Sequence, residues 1–190
     1  MVINKNFQKL DINIDLDKLI EHAHDIGYFD WVEDGGHHFE FMNHSNDIIE
    51  DKYWCKDESG GESVHSYILE EDNKPKKFLT WSVGVKKIYD YNQTYFKEIY
   101  DLLSEKYKLG RMRLLTIRPM TSLSWHREPD DRIIIPIITN PGAHLIIEDE
   151  LKHLPADDSV WFCKTTKYHS GFNGGWNNRT HLVISCNGEN

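Results

Sequence analysis

The sequence is poor in the features that would take a chain out of the ordinary class of soluble globular proteins. Its 190 residues include three cysteines, Cys55, Cys163 and Cys186, an odd number at wide spacing, so we expect reduced thiols and no disulfide framework. No stretch approaches the roughly 20 apolar residues of a membrane helix, and residues 1–10 lack the basic and apolar segments of a secretory leader. We therefore expect a single domain over residues 1–190, cytoplasmic and without a membrane partner.

Positive charge is also scarce. Lys and Arg number 22 against 31 Asp and Glu, which gives a formal net charge of −9. A chain of this charge repels a phosphate backbone at long range, so the composition argues against nucleic acid as a partner.

Hydrophobic spacing predicts two helices, over residues 15–26 and 93–107, with Asn92 as the N-cap of the second. Residues 28–75 are irregular and are interpreted as short strands and long loops, which often shape a substrate pocket.

Downstream of Gly110 the sequence predicts strands separated by turn signals. Ile133 to Ile135 do not alternate with polar residues, which is expected of a strand covered on both faces. Pro136 removes a ladder donor and predicts a bulge or a sheet edge there. Many short strands at regular spacing favour a mainly β sandwich or barrel with flanking helices. The predicted strands are 111–118, 123–128, 132–138, 143–148, 158–164, 166–170 and 180–186.

One run of this half carries candidate metal ligands. In an extended strand residues i and i+2 share a face, so His126 and Glu128 project side by side. His169 is the best candidate for a third ligand. Two histidines and one carboxylate with open positions are typical of non-haem Fe(II) oxygenases. Taken alone, a His-x-Glu pair is a weak signal in a chain with 11 histidines.

Arg179 stands at the start of an apolar strand, where a guanidinium needs an anionic partner. Its planar fork suits a carboxylate. The alternative interpretation is an ordinary ion pair with one of the many acids of the chain.

Four motifs of this half occur in order. They are Trp125-His126-Arg127-Glu128, Arg132-x-x-x-Pro136-Ile137-x-Thr139-Asn140-Pro141, His169-Ser170-x-x-Asn173 and Arg179-x-His181-Leu182. Together they resemble the aspartyl/asparaginyl β-hydroxylase-like branch of the 2-oxoglutarate/Fe(II) dioxygenases, which also includes hydroxylases of free proline. The resemblance covers residues 111–186 and implies a double-stranded β-helix (a cupin-like jelly roll) there. Residues 1–110 contribute little to it and are expected to form N-terminal helices and pocket-shaping loops.

The resemblance also implies roles for single residues. His126 and His169 match the iron-binding histidines, and Glu128 lies where many members have an acidic ligand, with Asp130 or Asp131 as the alternative acid. Arg179 matches the arginine that binds the distal carboxylate of 2-oxoglutarate. Arg132 matches a second arginine placed near the cosubstrate, or else pairs with Asp130. From strand spacing, His181 shares the face of Arg179 and is expected to line the cosubstrate pocket.

The expected function is that of an oxidoreductase, an Fe(II)- and 2-oxoglutarate-dependent hydroxylase that uses O2. Its substrate would be an amino acid, either free or as an Asp, Asn or Pro residue of a polypeptide. Two alternatives stay open at this point. One is a cupin-like metal-binding protein without 2-oxoglutarate chemistry, and the other is a β-sandwich binding module without a metal.

Overall fold

The computed structural model describes residues 5–25, 28–29, 38–40, 54–56, 62–64, 78–82, 85–89 and 94–190. For the short ranges between 38 and 89 the description is of the backbone. The helices named below are α1 (Leu16–Asp25) and α2 (Tyr95–Ser104). No helix within the described ranges has the length and apolarity needed to cross a membrane.

The strands are numbered in chain order. The first six are β1 (Phe7–Asn13), β2 (His38–Glu40), β3 (Trp54–Lys56), β4 (Glu62–Val64), β5 (Phe78–Ser82) and β6 (Val85–Tyr89). The next four are β7 (Tyr107–Ile117), β8 (Thr121–Ser122), β9 (Asp131–Ile138) and β10 (Ala143–Ile147). The last four are β11 (Glu150–Lys152), β12 (Ser159–Cys163), β13 (His169–Asn173) and β14 (Arg179–Glu189).

The strands form two main antiparallel sheets. The larger has the order β1-β12-β9-β14-β7-β2, and the smaller has the order β11-β10-β13-β8. Two further pairs, β3-β4 and β5-β6, form separate two-stranded sheets. This mainly β arrangement of two sheets with helices is a jelly-roll, double-stranded β-helix, as the sequence predicted.

The core has two apolar layers, one on each face of the large sheet. The outer layer packs both helices against that sheet, and includes Leu19, Phe96, Ile135, Leu182 and Ile184. The inner layer lies between the two sheets and joins residues of both: Leu145 and Ile147 of β10, Trp161 and Cys163 of β12, and Val183 of β14. We call the face that each sheet turns toward the other its inner face.

Both predicted helices are present, but each begins and ends at other residues than predicted. The N-cap of α2 is Thr94, whose Oγ1 accepts a hydrogen bond from the Lys97 amide at 3.3 Å. Asn92, the predicted cap, lies outside the described residues. The helix ends at Ser104 because the chain is already extended at Tyr107, where β7 begins.

Two strand predictions are confirmed and one is wrong. Ile133 to Ile135 are buried, and β9 lies inside the large sheet between β12 and β14. Pro136 lies at a bulge, because the register with β14 shifts between Thr180 and His181. A strand over 123–128 was expected, but β8 covers only Thr121–Ser122, and beyond it a single bridge joins His126 to His169. Strand β1 was not predicted at all.

Candidate functional site

Two of the predicted ligands, His126 and His169, lie side by side. Their backbones form an isolated antiparallel bridge, with N···O distances of 3.0 Å and 2.7 Å in the two directions. Residues opposite each other in such a bridge point to the same face of the sheet. Their ring centroids are accordingly 4.4 Å apart. Since Ile147 pairs with His169 and belongs to the inner apolar layer, both imidazoles lie on the inner face of the small sheet.

The backbone orients both rings in the same way. His126 Nδ1 lies 2.7 Å from the Ser124 carbonyl oxygen, and His169 Nδ1 lies 2.9 Å from that of Lys167. A carbonyl can only accept, so each Nδ1 carries the proton and donates it. The Nε2 atom of each ring then keeps its lone pair, which is how proteins fix a histidine as a metal ligand.

His169 is also held in its neutral form. It is 5% exposed, and this burial lowers the pKa of its imidazole below the ordinary value of 6.5, with the nearby His126 lowering it further. A neutral imidazole is the form that binds a metal.

Glu128 lies beside the two histidines but is engaged by arginines. Its Oε1 is 3.9 Å from His126 Nε2 and 3.8 Å from Arg113 Nη2. Its Oε2 is 2.8 Å from Arg132 Nη2. The carboxylate therefore lies within reach of the imidazoles while two guanidinium groups hold it.

The neighbouring acids are engaged elsewhere. Asp131 Oδ1 accepts hydrogen bonds from the amide and the hydroxyl of Thr166, at 3.0 Å and 2.8 Å. Asp130 offers Arg132 its backbone carbonyl oxygen at 3.0 Å, and Asp131 does so at 3.2 Å. Among the described residues no three His, Cys, Asp or Glu side chains are already gathered at metal-binding distances. The two imidazoles form the prepared part of the site, and Glu128 is the nearest acid.

Arg113 was not singled out in the sequence. It belongs to β7, where Met112 and Leu114 lie in the outer apolar layer. Alternation along the strand therefore turns Arg113 to the inner face. That alternation was the available signal, but the sequence does not show which acid an inward arginine meets.

Arg179 lies inside the protein, and no acidic side chain of the described residues pairs with it. It is 3% exposed, and it precedes Val183 of the inner layer by four residues on the same face of β14. Its Nη1 is buried and has no hydrogen-bond partner among the described residues. Burial lowers the pKa of the guanidinium to about 10, so the group remains positively charged at neutral pH.

The Arg179 guanidinium lies against the imidazole of His181. The Arg179 Nε and Nη2 atoms lie 3.1 Å from His181 Nε2 and 2.7 Å from His181 Nδ1. Burial, followed by the charge of Arg179, lowers the pKa of His181 well below 6.5. The imidazole is therefore neutral, and it can accept a hydrogen bond but cannot balance the charge.

Because Gly171 has no side chain, space remains beside Arg179 Nη1, the guanidinium nitrogen that has no hydrogen-bond partner among the described residues. A Cβ atom at this position would lie 3.3 Å from Arg179 Nη1 and 3.3 Å from Ile117 Cδ1. Gly171 is two residues from His169 on β13, and both are buried on the inner face.

An asparagine network holds the ends of these strands together. Asn173 is buried, and its Nδ2 donates to the carbonyl oxygens of Ile117 at 3.0 Å and Asn177 at 2.7 Å. Asn140 Nδ2 donates in turn to Asn173 Oδ1 at 3.0 Å. Because Ile117 pairs with Arg179, this network fixes the strand of His169 relative to that of Arg179.

The donor set fits a divalent metal and a carboxylate. Two imidazoles are oriented with Nε2 available, a carboxylate lies beside them, and a buried guanidinium has an unused N–H group. Nitrogen and oxygen ligands of this kind suit first-row transition metals such as Fe(II).

No protein-family profile matches the sequence, and no curated protein sequence matches it. Among solved structures, the viral collagen prolyl hydroxylase of Paramecium Bursaria Chlorella virus-1 is similar with a TM-score of 0.50 and 9% identity, over 96% of this chain and 89% of that one. An oxidoreductase of the 2OG-Fe(II) oxygenase family from Burkholderia pseudomallei is similar with a TM-score of 0.41 and 14% identity, over 53% of this chain and 61% of its own length. A cupin domain from Bordetella pertussis has a TM-score of 0.35 at 17% identity, over 42% of this chain and 82% of that one. At these identities the likeness concerns the fold.

Proposed function

We propose that the protein is an Fe(II)- and 2-oxoglutarate-dependent hydroxylase that acts on an amino acid, free or as an Asp, Asn or Pro residue of a polypeptide. The observation that carries this proposal is the buried guanidinium of Arg179, whose Nη1 has no partner among the described residues. A charge buried without a counterion is costly. A carboxylate placed against its planar fork would remove that cost.

The spacing of the inner face supports a dicarboxylate in particular. His169 and Gly171 are alternate residues of β13, and Gly171 faces Arg179 Nη1. Alternate residues of a strand lie roughly 7 Å apart, a distance comparable to the length of a five-carbon dicarboxylate. One end of 2-oxoglutarate would then reach Arg179 while the keto acid end faces the histidines.

His126 and His169 would hold the iron through Nε2, with Glu128 as the acidic ligand. When bound, iron together with 2-oxoglutarate and O2 supplies oxidative decarboxylation of the keto acid and hydroxylation of a C–H bond. Arg132, 2.8 Å from Glu128, would keep that carboxylate on the inner face beside His126. His181 would orient the Arg179 fork from the protein side.

The surroundings of the site also support this chemistry. Leu145, Ile147 and Val183 line the same inner face and belong to one apolar cluster. Apolar walls keep water away from the bound groups and strengthen the electrostatic contact between Arg179 and a carboxylate. The four sequence motifs support the aspartyl/asparaginyl β-hydroxylase-like branch as the finer assignment. The two buried free thiols, Cys163 and Cys186, are in keeping with the reducing conditions of the cytoplasm.

Anaerobic titration tests the cosubstrate. Adding 2-oxoglutarate to the Fe(II)-loaded protein should produce the weak visible charge-transfer band of a keto acid bound to iron, and admitting O2 with a substrate should release succinate. No band, together with no succinate from any amino acid or peptide, would contradict the hydroxylase and favour the cupin-like metal-binding alternative.

Metal analysis tests the histidines. The variant His126→Ala should lose bound iron when it is purified without chelators, because it removes one of two oriented imidazoles. The matched control is His24→Ala on the exposed side of α1, which should retain the metal. Unchanged metal content in His126→Ala would overturn the site.

A further inference from the structure

The small sheet ends beside the candidate site in an edge that the described residues leave open. Beyond β8 the chain continues beside β13 and the turn before it through three contacts. The Leu123 amide donates to the Gly171 carbonyl at 2.8 Å, His126 and His169 exchange two hydrogen bonds, and the Glu128 amide donates to Thr165 at 2.9 Å. Residues 121–128 are therefore the outermost segment of this sheet in the part of the chain that the structure describes.

The other side of this segment carries backbone groups that have no partner among the described residues. In an antiparallel ladder, the residues on either side of a hydrogen-bonded pair point their N–H and C=O groups away from the partner strand. His126 is such a paired residue, so the Trp125 carbonyl and the Arg127 amide, which lie across its two peptide bonds, point outward, as does the Arg127 carbonyl across from the paired Glu128 amide. Neither residue makes a backbone hydrogen bond to any described residue.

Aromatic side chains stand exposed next to this open edge. Trp125 is 50% exposed, and Tyr168, which adjoins His169, is 51% exposed. Each directly precedes one of the inward histidines along the chain, and its exposure shows that it faces solvent and not the inner face. The Arg127 guanidinium carbon lies 5.7 Å from the centre of the Tyr168 ring. The edge is thus bordered by apolar surface that an added chain can cover.

We propose that the substrate is a polypeptide, which docks as an added strand on the backbone of residues 124–127. This inference rests on the proposed hydroxylase function and chooses between the two substrate classes that function leaves open. Outward N–H and C=O groups on alternate residues match the backbone of an extended chain, which is how sheet edges recognise peptides. A free amino acid has no comparable set of groups.

The docked strand would also select the residue that reacts. Its residue opposite His126 lies between the two hydrogen-bonded positions, and such residues approach to about 4.5 Å between Cα atoms. Its side chain shares the face of His126 and His169. The pairing register therefore places one side chain of the polypeptide at the candidate metal ligands.

Features of the edge favour a foreign chain over a second copy of this protein. The ladder is short, since β8 has two residues and His126 adds a single bridge. A charged side chain, Arg127, stands at the open position. Short strands and charged residues are the means by which natural edges resist pairing with one another.

Hydrogen–deuterium exchange on the full chain, without iron or 2-oxoglutarate, tests the docking alone. The probe is a set of capped peptides of about twelve residues, enough to span an edge strand. Each has one central Pro, Asp or Asn in an Ala, Val, Ser and Thr background. We expect peptides to slow exchange at the amide of Arg127. N-methylation of the peptide amides that face the edge should abolish this protection, and N-methylation of alternate amides should preserve it.

A pair of variants separates backbone from side chain. Arg127→Pro removes the outward N–H and should weaken binding of the best peptide about tenfold, whereas Arg127→Ala keeps that N–H and should weaken it less than about threefold. If the proline variant does not fold, the N-methylated peptides still decide.

Three results would overturn the docking proposal. They are the absence of protection by any peptide, protection that grows with protein concentration alone (a second copy on the edge), and free amino acids that release succinate as well as peptides do. Peptide protection combined with a failed Fe(II) and 2-oxoglutarate titration would instead count against the hydroxylase function, so the two failures are distinguishable.

Discussion

On its outer face strand β14 presents Leu182 and Ile184 to the helices, whereas on its inner face it presents Arg179 and His181 to the space between the sheets. All four side chains are buried. The outer pair lies among apolar neighbours from both helices, and it stabilises the fold because its apolar surface is removed from water. The inner pair is polar, and the Nη1 atom of Arg179 has no hydrogen-bond partner among the described residues.

The difference indicates what each face is for. An apolar residue buried in a packed layer stabilises the fold by roughly 1.5–3 kcal/mol. A buried guanidinium without a counterion does the opposite, because it has lost its water. The inner face therefore carries a buried positive charge that does not stabilise the fold, and a bound anion would balance that charge. The variants below separate stability from binding along this one strand.

The largest effect is expected on the outer face. Leu182→Ala should lower the free energy of unfolding by about 2–5 kcal/mol, because it leaves a cavity in the outer layer. Urea titration measures this, and the affinity of the folded protein for 2-oxoglutarate should stay the same. The matched control is Leu102→Ala on α2, where the side chain is 44% exposed and the cost should stay below about 0.5 kcal/mol.

Arg179→Met should show the reverse pattern. Affinity for 2-oxoglutarate in an anaerobic titration should fall about 100-fold, since a charge-assisted fork is lost. The free energy of unfolding should be unchanged or higher, because a buried charge gives way to an apolar chain of similar length. Arg179→Lys, which restores the charge without the fork, should recover only part of the affinity. Full affinity in the methionine variant would refute the assigned role.

Asn173→Ala should lower both the free energy of unfolding and the affinity for 2-oxoglutarate. It removes the hydrogen bonds to the Ile117 and Asn177 carbonyls and should lower the free energy of unfolding by about 1–3 kcal/mol. Because Ile117 pairs with Arg179, a weaker affinity for 2-oxoglutarate should accompany it. Asn177→Ala keeps the backbone carbonyl that accepts the bond, so it is the matched control and should change neither quantity.

The smallest effect concerns pH. Burial lowers the pKa of His181 well below the 6.5 of an unfolded chain, so below pH 6.5 the unfolded state binds a proton that the folded state does not. Stability contributed by the neutral imidazole is therefore complete above pH 6.5 and is lost as the pH falls. Urea midpoints between pH 7 and pH 5 should fall less steeply in His181→Gln than in the parent protein. An exposed imidazole removed by His24→Gln serves as the control, and equal slopes in the His181 variant would contradict the prediction.

Local patterns in the sequence predicted the parts of the fold that depend on local physics. Ile133 to Ile135 lack alternation because both faces of β9 are covered, and Pro136 cannot donate to a ladder wherever it stands. The two helices follow from apolar spacing. The cap of α2 was harder, since Asn92 and Thr94 are both suitable residue types and only the extended backbone of Thr94 before Tyr95 decides between them.

Candidate residues of the site could be singled out from the sequence, but their contacts could not, and Arg113 was missed. His126, His169 and Arg179 were identified from the sequence, whereas the pairing of Glu128 with Arg132 and Arg113 depends on how the fold brings β7 and β9 beside residue 128. The expected strand over 123–128 failed for a local reason. His126 Nδ1 binds the Ser124 carbonyl, and a side chain that bonds to its own backbone competes with a regular ladder.

Two of the three cysteines, Cys163 at the end of β12 and Cys186 within β14, occupy different layers. Cys163 lies in the inner layer and Cys186 in the outer one, and burial raises the pKa of both thiols, that of Cys186 to about 11. A thiol that is both inaccessible and protonated does not react with alkylating reagents. The rate at which each thiol is alkylated therefore measures how often its own apolar layer opens. Labelling rates at the two positions would show whether the barrel can loosen around a ligand while the helices remain in place.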